Sequence, residues 1–136
     1  MSYSRLTGVG AAAALAFMAV SLPAAAHHSF AAEFSRDRPV TLEGEVLMME
    51  WVNPHSWLHI NVTKDDGTVE TWKIEGGSPS VLMRQGWDRN SLPPGTRVRV
   101  EGFGAKDGSF RAQSRGIEFP DGRVLSLGGT RAPDDD

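Results

Sequence analysis

From about Val40 onward, polar and apolar positions alternate in short runs, and no run holds an apolar face at helical spacing for long. "VTLEGEVLMMEW" sets Val40, Leu42, Gly44, Val46 and Met48 on one face. Towards its end a second apolar set, Leu47, Met49 and Trp51, falls on the other. This double pattern predicts a strand that bends near Gly44 and serves two sheet surfaces, with Met48 in the core. "NPH" predicts a turn, because Asn-Pro initiates turns and proline cannot donate to a ladder. "SWLHINV" follows with Leu58, Ile60 and Val62 on one face and Trp57, His59 and Asn61 on the other. Asp66-Gly67 is a hairpin signal, and "VETWKI" returns with Trp72 and Ile74 on its core side.

One short helix is expected, in "GGSPSVLMRQGW". Ser78 suits the N-cap, Pro79 the first helical position and Gly86 a left-handed stop. So short a helix relies on packing of Val81 and Leu82 rather than on propensity. "RVRVEG", "SFRAQSRGIEF" and "RVLSL" are further strands, separated by Asp-Gly turns. Three strands, a short helix and two or three more strands predict a mostly β protein, a small OB-like, partly open β-barrel. Another small barrel or a sandwich is the alternative.

The segment before Val40 is different. Arg5 is followed by an Ala-rich apolar stretch to Leu22, a break at Pro23 and the triplet Ala24-Ala25-Ala26. That is the layout of a secretory signal peptide over residues 1–26, with cleavage before His27; a cut after Ala31 is the weaker option. The stretch is marginal for a bilayer span, which takes roughly 20 apolar residues. The expected organisation is a signal peptide (1–26), an N-terminal arm (27–39), the OB-like domain (40–127) and a disordered tail (128–136). Export places the domain in the bacterial periplasm or outside the cell. No later segment is apolar enough to span a membrane.

Charge and composition narrow the chemistry. The 136-residue chain has a formal net charge of −3, and loss of Arg5 makes the remainder more acidic, which disfavours nucleic acid. There is no cysteine, so disulfides, lipoprotein anchoring and thiolate chemistry are excluded. No nucleophile elbow or phosphate loop is present, and Glu43 with Glu45 reads as solvated strand surface. No catalytic residues are legible, and an enzyme is not expected.

The four histidines, His27, His28, His55 and His59, are the remaining candidates. If the chain starts at His27, its α-amino group and imidazole can chelate one metal ion. A further imidazole would complete the T-shaped nitrogen set known as a histidine brace, a geometry suited to copper(II). His55 and His59 are about 13 Å apart along an extended strand and cannot both ligate one ion if the chain runs straight. His55, in a turn at the barrel rim, is the favoured partner of His27, with His28 or His59 as alternates. The bland readings are a tolerated polar pair at a cleavage site, a turn histidine and a surface strand histidine. Of the tryptophans, Trp72, Trp51 and Trp87 are expected to fill or cover the core.

The motifs "HHSFAAEF", "EWVNPHSWLHI", "EGGSPSVLMRQGW" and "SLPPGTRVRVEGFGAKDG" resemble a family of small exported proteobacterial proteins classed as a domain of unknown function. The similarity covers essentially the whole mature chain, and the first two motifs are specific to it. The resemblance implies export and a compact β-barrel-like domain, and lends no activity, ligand or catalytic residue. Ser35 departs from it, standing where an aspartate tends to follow the Glu-Phe pair.

Two functions are carried forward. The first is a periplasmic metal carrier or accessory protein, for copper, using His27 with His55. The second is a non-enzymatic binding module whose outer face around Trp57, His59 and Trp51 recognises an envelope protein or a small ligand. Neither oligomeric state nor partner is legible.

Overall fold

The computed structural model describes residues 30–128. The expected signal peptide, His27, His28 and residues 129–136 of the expected tail lie outside them. In order, the elements are α1 (Phe30–Glu33), β1 (Phe34–Glu50), β2 (Trp57–Thr63), β3 (Val69–Glu75), α2 (Pro79–Arg84), β4 (Arg97–Ala105), β5 (Arg111–Glu118) and β6 (Val124–Leu125).

β1 is long because it serves two neighbours in turn. Its first part, to Glu45, pairs antiparallel with β4, and its last part, from Glu45 to Glu50, pairs with β2. Pro39 falls where β1 has β4 alone as neighbour, so its missing N–H can face the open side. β2 pairs with β3 and β4 with β5, both antiparallel, while β6 extends the far edge of β5. A short parallel contact between β3 and β5, Lys73 to Arg111 through Glu75 to Gln113, turns the sheet into an incompletely closed ring. The strand order around it, β1-β2-β3-β5-β4, is that of the expected OB-like barrel.

The core is single. Leu42, Val46, Leu58, Ile60, Ile74, Val98, Val100 and Ile117 fill the ring, and Leu82, Trp87 and Leu127 close one end. The expected second sheet surface on β1 is absent, because a β-bulge sits between Val46 and Met48. The extra residue, Leu47, swings out to solvent, and the alternation slips by one. Met49 and Trp51 therefore rejoin the same core as Leu42 and Val46, whereas Met48, expected inside, is exposed.

α2 forms as its sequence predicts. Ser78 Oγ accepts the Val81 amide, Pro79 opens the helix, and Gly86 follows it at φ 90°. Leu82 is fully buried, and the Trp87 indole donates to the Ser126 carbonyl. At the other end of the chain, residues 30–39 of the expected arm form α1 and the start of β1. Phe30 and Phe34 bury against Ala105 and Phe103, forming a small second cluster that ties this stretch to the domain.

Three hairpins share one device. In Asp66-Gly67-Thr68, Asp107-Gly108-Ser109 and Asp121-Gly122-Arg123 the glycine sits at positive φ. The aspartate accepts from both the amide and the side chain two residues on. Those bonds favour the ionised form, so each carboxyl lies below the ordinary aspartate value; the Thr68 hydroxyl leads for Asp66, the Ser109 hydroxyl for Asp107 and the Arg123 side chain for Asp121.

Two predictions follow from this architecture. Leu58→Ala should destabilise by about 2–5 kcal/mol, while Leu47→Ala should stay within about 0.5 kcal/mol, both read by urea denaturation; equal losses would contradict the bulge. In a carboxyl NMR titration Asp66 should protonate below the ordinary aspartate range, and Thr68→Val should move it back up. Because the folded-state value is the lower one, the turn's contribution is fully present above the ordinary aspartate pKa and disappears as pH falls through the lowered value.

Candidate functional site

His55 lies in the segment between β1 and β2, and its position is set by the backbone beside it. The Ser56 amide donates to the Gly77 carbonyl at 2.9 Å, and the Gly76 amide donates back to the Ser56 carbonyl at 2.8 Å. This bridge lays His55 against the end of β3. Its Nδ1 is 3.3 Å from the Gly76 carbonyl oxygen and 3.7 Å from Glu75 Oε1. Both are acceptors, so Nδ1 is the nitrogen that carries the proton in the neutral ring. Nε2 is left with its lone pair, buried and without a hydrogen-bond partner among the described residues. Metal-ligating histidines show this pattern, one ring nitrogen donating to a carbonyl or carboxylate and the other offering its lone pair.

The neighbourhood is polar and enclosed. Glu75 is the last residue of β3, in register with Trp57 on one side and Gln113 on the other. Its side chain is 4 % exposed, that of His55 16 %. Gln113, 4 % exposed, donates its amide to the Ser114 carbonyl at 2.8 Å, and its Oε1 has no partner among the described residues. Ser56 Oγ, next to His55 in the chain, is likewise buried and has no partner among the described residues.

His59 is placed separately. Through the bulge, Met48 rather than Leu47 stands opposite His59, and Glu50 comes onto the same outer face. There His59 Nε2 is 3.1 Å from Glu50 Oε2, and the residue is largely buried. Each histidine thus faces its own acid, Glu75 for His55 and Glu50 for His59. Among the described residues, no three His, Asp or Glu side chains converge closely enough to hold a metal ion. Trp57 is half-buried at the start of β2. Trp51 packs on the core, with the Arg89 guanidinium 6.0 Å from its ring centre. The open groove of about 620 Å³ lined by Glu43, Glu45, Asn61, Arg97, Arg99 and Glu118 contains none of the histidines or tryptophans.

A family model matches residues 14–114, that of a family of unknown function, DUF6152. The chain belongs to this family. No curated protein matches it. Membership therefore assigns no activity, and among the described residues no helix is long and apolar enough to cross a membrane.

Glu75, Gln113 and Glu50 did not stand out in the sequence. By alternation Glu75 is one more outward strand residue, and its burial comes from the parallel contact with β5, which no local pattern announces. The site's arrangement gives a direct expectation. Long-range ¹H–¹⁵N NMR near neutral pH should show His55 protonated at Nδ1 and bare at Nε2; the opposite tautomer would remove the lone pair from the site.

Proposed function

We propose that this DUF6152 protein is an exported, periplasmic metal-binding protein, a carrier or accessory factor for copper, that works without catalysing a reaction. The donors are the α-amino group and imidazole of His27, as mature N-terminus, and Nε2 of His55. The observation that carries the reading is the His55 ring, with Nδ1 beside the Gly76 carbonyl and Nε2 buried without a partner among the described residues. A buried imidazole nitrogen without a partner is costly unless something fills the position, and imidazole nitrogen suits copper.

Reach supports the pairing. α1, where the described chain begins, is fastened to the fold. The Lys106 amide and ammonium donate to the Glu33 and Ala31 carbonyls, and Arg111 pairs with Glu33 at 3.2 Å. The Phe30 ring centre is 5.5 Å from that of Phe103, whose strand partner Gln113 is in turn the partner of Glu75. Two strand spacings, about 10 Å, separate Phe103 from Glu75. Three residues of fully extended chain, the number from His27 to Phe30, span at most about 10 Å. The competing docking face has less support, since His59 is engaged by Glu50 and Trp51 packs on the core.

The test combines intact mass spectrometry of the exported protein with copper(II) titration. The chain should begin at His27 and take up one copper(II), with an electron paramagnetic resonance signature of three nitrogens. One residue added before His27, or His55→Ala, should weaken binding by about a hundredfold, two tenfold steps of about 1.4 kcal/mol each. A start at Phe30 or later, or no adduct at stoichiometric copper(II), would sink the proposal.

A further inference from the structure

We infer that residues 30–34 form a clasp that opens as one unit while the barrel stays folded, whether or not a metal is bound. Phe30 and Phe34 bury with Ala105 in a cluster that shares no residue with the barrel core. The Phe30 ring centre is 5.9 Å from that of Phe34 and 5.5 Å from that of Phe103. The polar ties reach the same end of the β4–β5 hairpin. There the Lys106 amide donates to the Glu33 carbonyl at 2.9 Å, the Lys106 ammonium donates to the Ala31 carbonyl, and Arg111 pairs with Glu33. Between the clasp and the barrel the ladder breaks. From the pair Phe34–Ala105 to the pair Pro39–Phe103, four residues of β1, Ser35 to Arg38, stand against the one residue Gly104 of β4. That excursion is wider than a one-residue bulge, and it supplies a hinge. α1 is a single turn of four residues, too short to persist without its packing. The clasp therefore closes or opens whole. Opening takes no side chain out of the barrel core, so it costs less than unfolding the domain. Closed, the clasp fixes the chain's point of entry at Phe30. Open, that point moves to Pro39, which frees a reach of about 30 Å in extended chain.

Native-state hydrogen exchange of the purified protein tests this with two amides. Lys106 reports the clasp, and Val46, whose amide donates to the Thr96 carbonyl at 2.8 Å, reports the barrel. Lys106 should be protected at least about tenfold less than Val46. Low concentrations of urea should speed exchange at Val46 far more than at Lys106, because opening the clasp exposes little surface. Phe30→Ala should strip protection from Lys106 and leave Val46 protected. Matching protection and urea dependence at the two amides would overturn the inference. So would a Phe30→Ala protein in which both amides exchange freely.

Discussion

The closure of β3 on β5 is the constraint on which the arrangement of this protein depends. Only three residue pairs make it, and they are parallel in an otherwise antiparallel sheet. Yet these pairs turn a curled sheet into a ring, enclose Ile74 and Ala112 in the core, and give Glu75 a neighbour on each side. Without β5, Glu75 would be an ordinary edge carboxylate in water. With it, the acid is buried next to His55, and the polar atoms of Gln113 are buried with it. The fold and the candidate site are the same event seen from the two faces of one short ladder.

That explains how much could be read in advance. The hairpins, the short helix and the core positions of Leu58, Ile60, Trp72 and Ile74 follow from local rules: alternation, Asp-Gly turns, and the Ser78, Pro79 and Gly86 punctuation. Such rules act within a few residues, and the sequence displays them openly. The assignment of Met48 to the core failed because alternation assumes an unbroken period of two. The bulge at Leu47 breaks that period without any glycine or proline to mark it. The double apolar pattern was a true signal of irregularity; its cause was one extra residue, not a second surface.

The site was legible only to the level of residue type. His55 could be singled out by residue type and by its turn, while the acids beside the two rings, Glu75 near His55 and Glu50 at His59, could not. What sets His55 apart, an Nδ1 beside the Gly76 carbonyl and a buried Nε2 without a partner among the described residues, depends on Gly76 and Glu75, about twenty residues later along the chain, and on a strand later still. Contacts of that range come from topology, and topology could be inferred here only as a class. The same holds for Phe30 and Phe34, whose burial against Phe103 and Ala105 ties the expected arm to the domain.

The double use of β1 bears on the order in which the protein can assemble. Its later part meets β2 across a short connection, but its first part pairs with β4, so that Phe34 finds Ala105 only after most of the domain has been made. Contacts so far apart in sequence form slowly, because the loop must close before anything is gained. In the meantime half of β1 is an open edge, able to pair with another chain. Arg36, Asp37, Arg38, Glu43 and Glu45 stud that stretch with charge of both signs, and Pro39 interrupts its donors. They guard a strand that is made first and matched last.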